Sequence, residues 1–190
     1  MGGLSPEYPI RTERLLIRPL TMADVDAVTA YSSQPDVVRY VPYDPLSRED
    51  VIERLQGPWS RTELTEPNQA MRLGLEERRT GELVGDVMLK WESAENSSGE
   101  IGYILSPAAT GKGYATEAAE ALLRLGFEGL RLHRMFAQLD ERNPASARVL
   151  ERLGMRREAV LVEDMWFKGE WSTTLVYAML DREWRVRRAV

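Results

Sequence analysis

The stretch "TGKGYATEAAEALLRLGF", residues 110–127, places the strongest constraint on the fold. Two glycines bracket a lysine at Gly111, Lys112 and Gly113. A run follows in which Ala115, Ala118, Ala119, Leu122, Leu123 and Gly126 recur at helical spacing. Residues this small let a helix approach a sheet closely, so the first turn of the helix has a fixed place. The N–H groups of that turn lack partners within the helix, and the dipole puts about half a positive charge at that end. With no β-carbon on Gly111 or Gly113, the amides of residues 111–115 form a concave row of donors suited to a phosphate or pyrophosphate. Lys112 could add a direct charge. The same residues also suit a plain strand-to-helix turn that holds nothing.

Two familiar phosphate signatures are excluded. A Walker A loop needs Ser or Thr after its Gly-Lys, but Gly113 follows Lys112, and Ser106 stands where the loop's first glycine belongs. The dinucleotide fingerprint fails because Thr116 replaces its third glycine.

Around this stretch, "RLLIRPL" alternates as a short strand, and Thr21 with Asp24 has the form of a capping signature for a helix through Tyr31. Ser47 with Asp50 repeats that signature ahead of "VIERLQ". Between them, "PDVVRYVPYDPL" carries too many prolines for a regular element and reads as a loop or short turns, while residues 57–69 show no clear period. Residues 70–91 read as two strands joined by a glycine turn, "EIGYIL" as the next strand, and "HRMFAQLD" as a strand ending near Asp140. "NPASARVLERLG" reads as a helix with Asn143 as N-cap, Pro144 at its first position and Gly154 past its end. Two strand-like runs, near 159–167 and 174–180, flank the turn "KGEW". This order predicts a mixed sheet with helices packed on it, in one domain spanning residues 1–190.

Composition narrows the chemistry. The chain has no cysteine and one histidine, His133, which removes thiolate metal sites, a cysteine nucleophile and an H-E-x-x-H zinc site. No metal is expected. A net charge of -5 gives no general attraction to nucleic acid or to an anionic membrane. No apolar run approaches the roughly 20 residues needed to cross a bilayer, and the first residues lack a basic region followed by an apolar one. The expectation is a soluble, cytoplasmic protein.

"GEIGYILSPAATGKGYATEAAEALLRLGF" and "NPASARVLERLGMRREA" together resemble the GNAT superfamily of acyl-CoA-dependent N-acetyltransferases. "TERLLIRPLTMADVDA" and "WFKGEWSTTLVYAMLDREW" resemble the branch of the ribosomal-protein N-terminal acetyltransferases, and the likeness covers most of the chain, weakest over residues 34–69. The resemblance implies an α+β fold: a mixed, mostly antiparallel sheet with a splayed parallel strand pair and helices on both faces. It also implies that acetyl-CoA is the co-substrate. Its pyrophosphate would sit on the amides of Gly111, Lys112, Gly113, Tyr114 and Ala115, and its pantetheine arm against the strand edge at Ile104 and Leu105, within reach of Asn143. Ala108 departs from the family motif, where a Gln or Arg opens the turn, so a side-chain contact there is lost. Leu150 stands where many relatives carry an acidic tyrosine. Ser146, four residues earlier on the same helical face, is the proton donor that the ribosomal branch suggests in its place.

The implied reaction is direct attack of a neutral amine on the thioester carbonyl. It requires a group that accepts a proton from the incoming ammonium, and Glu100, Glu163 and Asp164 are the candidates, each of which could equally be a solvated carboxylate. The acceptor would be a protein N-terminus or a small-molecule amine; a non-catalytic acyl-CoA-binding module is the alternative of a different class. Tyr103 is expected to pack, and Arg11, Arg14 and Arg18 to form a solvated strand face. Glu117, in the helix's first turn, suits the dipole but should face away from a phosphate. Trp166 and Trp171 are expected in the core, though they could line the acceptor pocket or seal a homodimer contact.

Overall fold

Short caps and glycine turns set the element order. A computed structural model describes residues 2–188. Strands β1 (Ile10–Arg11) and β2 (Leu15–Pro19) form a hairpin, followed by α1 (Val25–Ser32), α2 (Pro35–Val38) and α3 (Arg48–Gln56). Then come β3 (Ala70–Glu77), β4 (Leu83–Ser93), β5 (Ser98–Leu105), α4 (Tyr114–Arg124), β6 (Arg134–Asp140) and α5 (Pro144–Arg152). The long hairpin β7 (Arg156–Phe167) and β8 (Glu170–Leu180) follows, and α6 (Asp181–Arg188) ends the described chain. Both predicted caps form. Asp50 accepts from the Ser47 N–H at 2.8 Å and Asp24 from the Thr21 N–H at 2.8 Å, although Asp24 first closes a 3-10 turn before α1 begins.

All the strands lie in one sheet of order β1-β2-β3-β4-β5-β6-β8-β7, in which every neighbouring pair is antiparallel except β5 and β6. The alanine face of α4 packs as expected: Ala118, Ala119, Leu122 and Leu123 are fully buried with Ile17, Leu73 and other residues of one sheet face. Val28 of α1 and Val51 of α3 pack with Leu20 and Ile104 on the other face, so helices cover both.

Several expectations need correction. The proline-rich segment after α1 contains a short helix, because Pro35 takes the first helical position, where its missing N–H costs nothing. Residues 57–69 are pinned by Leu64, which exchanges backbone hydrogen bonds with Leu4 at 2.7 and 2.8 Å. Arg18 is not solvated on a strand face: it forks onto Asp24 at 2.8 and 2.9 Å and meets Glu76 at 2.7 Å. Trp166 and Trp171 are 61% and 55% exposed and meet each other edge to face. They lie on the hairpin at the sheet's edge, where no helix packs over them.

Candidate active site

Beyond Leu105 the chain makes a 3-10 turn at Pro107–Ala109 and doubles back into α4 through Gly111 and Gly113, whose φ values are 75° and 84°. In the left-handed region a β-carbon costs roughly 1–2 kcal/mol, which is why both positions are glycine. The first helical hydrogen bond runs from the Glu117 N–H to the Gly113 carbonyl at 3.1 Å, so the amides ahead of it find no acceptor within the helix. A side chain at Gly111 would point into open space, and Lys112 is exposed beside it. Tyr114 and Ala115 turn their side chains inward, and the Tyr114 hydroxyl donates to Glu77 at 2.7 Å. These two residues therefore present only their backbone. The turn is a cradle that fits a diphosphate.

The sheet opens next to it. β5 and β6 are in register only at Ser98–Arg134, Gly99–Met135 and Glu100–Phe136, although β5 continues to Leu105 and β6 to Asp140. Past Glu100 the two strands part. Ile104 and Leu105 keep their pairing with Asp86 and Gly85 of β4, so their other edge faces the gap. That edge suits an extended, amide-bearing arm.

Strand alternation distributes the polar groups to the two sides of the gap. Tyr103 shares the face of Ile101 and reaches α5, where its hydroxyl lies 2.8 Å from Ser146 Oγ and donates to the Ser146 carbonyl at 3.1 Å. Burial pushes the Tyr103 phenol up to about 12, against the pull of the Ser146 hydrogen bond, so the phenol keeps its proton. The expectation that Tyr103 only packs is thus incomplete. Asn143 caps α5, its side chain accepting from the Ser146 N–H at 3.1 Å, and Leu150 is fully buried. The amide nitrogen of Asn143 remains available to a ligand.

Glu100 shares the opposite face, with Ile104. It borders a cavity of about 170 Å³ with Tyr40, Gln138, Asp140, Phe167 and Thr174. Burial raises the Glu100 carboxyl above its ordinary value; Lys90 pulls it down and Glu92 adds a small push upward. The other acid, Asp140, is held at about 2, chiefly by hydrogen bonds from Arg142, and also accepts from Ser172 Oγ at 2.7 Å. Glu163 lies elsewhere: its φ of 49° marks a bulge in β7, its N–H donates to Thr173, and its side chain is exposed and does not line the cavity. Asp164 is spent on the Thr174 N–H at 3.1 Å. At the hairpin tip, Lys168 Nζ donates to the carbonyls of Val38 and Tyr43 at 2.7 and 2.8 Å and ties β7–β8 to the loop after α2.

Among the described residues no three His, Cys, Asp or Glu side chains converge on a metal position, and no helix is long and apolar enough to cross a membrane. Residues 14–156 match the family model described as an acetyltransferase (GNAT) domain. YnaD of Bacillus subtilis (strain 168), named an uncharacterized N-acetyltransferase, is 33% identical over 178 residues, 92% of this chain and 98% of its own length. A crystal structure of a GNAT-family acetyltransferase from Bacillus anthracis superposes with a TM-score of 0.81 at 33% identity, covering 92% of this chain and 99% of that one. A spermidine N-acetyltransferase from Vibrio cholerae, solved with CoA and spermine, superposes with a TM-score of 0.78 over 92% of this chain and 99% of its own. At 22% identity that likeness is one of fold.

Proposed function

We propose that this chain, which belongs to the GNAT family of acetyltransferases and uses acetyl-CoA to acetylate an amine, takes as its acceptor the α-amine at a protein N-terminus. The observation that carries this reading is the position of Glu100. It stands at the last paired residue before β5 and β6 part, where the acceptor cavity on one face meets the gap. The cavity's second acid is paired with Arg142, so Glu100 is the carboxylate of the lining with no ion pair among the described residues, placed to meet one ammonium. A polyamine would bring further cations that this lining does not match. The apolar walls at Tyr40, Pro42, Met165 and Phe167 suit the side chain of a first residue instead.

Acetyl-CoA supplies the acyl group as a thioester. The amides of Gly111–Ala115 hold its diphosphate, and the free edge of Ile104 and Leu105 together with Asn143 orients its arm toward the apex of the gap. Glu100 takes one proton from the ammonium and so makes the nitrogen a nucleophile; a raised pKa suits it to that task near neutral pH. On the other face, Ser146 gives its proton to the departing sulfur and recovers one from the amine through Tyr103 and water.

Turnover with acetyl-CoA, measured on a panel of short peptides, their Nα-blocked versions, spermidine and spermine, tests the acceptor. Free peptides are expected to react and blocked ones not to. Faster turnover of the polyamines would overturn the N-terminal reading.

A further inference from the structure

Two residues set aside by sequence reasoning meet at the phosphate cradle. Glu117 lies in the first turn of α4, and its carboxylate is gripped by the loop between β1 and β2. Thr12 Oγ1 donates to Oε1 at 2.6 Å, the Arg14 N–H to Oε1 at 2.7 Å and Arg14 Nε to Oε2 at 2.7 Å. The same guanidinium continues into the turn itself. Arg14 Nη1 donates to the Lys112 carbonyl at 2.7 Å, its carbon lies 4.9 Å from the Tyr114 ring centre, and a β-carbon on Gly113 would lie 3.3 Å from Nη2. From the other side, the Tyr114 hydroxyl is fixed by Glu77 of β3, which Thr80 also engages at 2.8 Å. Residues that the chain separates by 37 to 105 positions thus clamp one two-glycine loop.

We infer that Arg14 is a positioning residue for the coenzyme A site: through Glu117 and the Lys112 carbonyl it holds the Gly111–Gly113 turn in the conformation that aims its amides at the diphosphate, and it cancels a carboxylate charge that would otherwise repel that anion. Two physical points support this. The turn needs two left-handed glycines, the most flexible residues available, so without an external clamp its amides would sample many directions. And Glu117, alone at a helix N-terminus, would sit on the same positive end of the dipole that the diphosphate uses. Its side chain is only 13% exposed, and its carboxyl is lowered despite the opposing effect of burial, because Thr12 and Arg14 hydrogen-bond to its charged form. Glu117 is therefore a paired, neutralised anchor, and that resolves the conflict its position in the sequence raises.

The inference rests on coenzyme A binding at this turn, and the experiment separates the two claims. Binding of CoA to the wild-type protein by calorimetry tests the site; the ratio of mutant to wild type tests the clamp. Arg14→Met removes a charge-assisted fork and is expected to weaken CoA about tenfold or more. It should raise the KM for acetyl-CoA by the same factor while kcat at saturation stays close to wild type. With S-acetyl-pantetheine, which carries the same thioester and no diphosphate, the kcat/KM of mutant and wild type should agree. Arg14→Lys keeps the charge but cannot reach Glu117 and the Lys112 carbonyl together, so it should recover only part of the affinity; it also serves if the Met variant does not fold. Unchanged CoA affinity in a folded variant, or an equal loss with both donors, would overturn the inference.

Discussion

Glu100 carries the sharpest consequence for a single side chain. Its carboxyl is raised by burial, so the form that accepts a proton is lost at a higher pH than for a solvated glutamate, whose ordinary value is about 4.3. Because Glu100 takes its proton from the bound ammonium, only the loss of its own ionised form lowers the rate on the acid side, and log kcat/KM should fall with a slope of one below that raised value. Glu100→Gln should lower the rate by roughly 10²–10⁴-fold and move the break to the ionisation of the amine itself, at about 7.7–8.0 for an α-amine, since the amine must then arrive deprotonated. A variant that keeps the wild-type rate and profile would remove Glu100 from the chemistry. Across the gap, Ser146 and Tyr103 share a hydrogen bond; on the proposed proton path, Ser146→Ala and Tyr103→Phe should each slow turnover, with the loss in the double variant well short of the product of the two. Fully multiplicative effects, read from the four rate constants, would show that the two hydroxyls act separately. The resemblance singled out Ser146 as a candidate; its hydrogen bond to Tyr103 was not legible, because the two lie 43 residues apart on different elements. Arg14 and Glu117 were hidden in the same way, at a separation of 103 residues.

Among the elements, β4 and β5 fix the strand edge that the gap exposes. At Gly85 they approach so closely that a β-carbon would lie 2.2 Å from the Ile104 carbonyl oxygen and 2.9 Å from Leu105 Cα. Both of those contacts are backbone, which cannot move aside without shifting β5. Gly85→Ala should therefore cost about 1–3 kcal/mol in chemical unfolding and raise the KM for acetyl-CoA, since the displaced residues are the ones facing the gap. A midpoint equal to wild type would mean that the edge is not held by this contact. Elements with a clear period were legible in advance: α4 from its alanine stripe, α5 from Asn143, Pro144 and Gly154, and α3 from the Ser47–Asp50 box. α6 was not, because it buries only Trp184 and is otherwise almost wholly charged, which leaves no apolar face to detect. The segment before β3 was illegible because much of what fixes it is distant in sequence: Leu64 bridges to Leu4, the Tyr8 hydroxyl donates to the Thr62 carbonyl, and Asn68 and Gln69 pair with Trp91.

For the whole molecule, the active arrangement is a property of the sheet more than of any motif. The parting of β5 from β6 sets a free strand edge, with the Glu100 carboxyl on one face and the Tyr103–Ser146 hydrogen bond on the other, beside the Gly111–Gly113 turn. The turn into α4 could be read from Gly111, Lys112 and Gly113. The resemblance also implied the splayed strand pair, but not that the pairing stops at Glu100 and Phe136, which no local pattern marks. The central claim is that this opening receives coenzyme A, diphosphate on the turn and arm in the gap. A crystal structure of the complex with CoA tests it most directly. The account predicts diphosphate oxygens about 2.7–3.2 Å from the amide nitrogens of the Gly111–Ala115 turn, with the thiol near Ser146 at the apex beyond Glu100 and Phe136. A CoA molecule lying elsewhere, with the turn unengaged and the β5–β6 gap closed on itself, would contradict it.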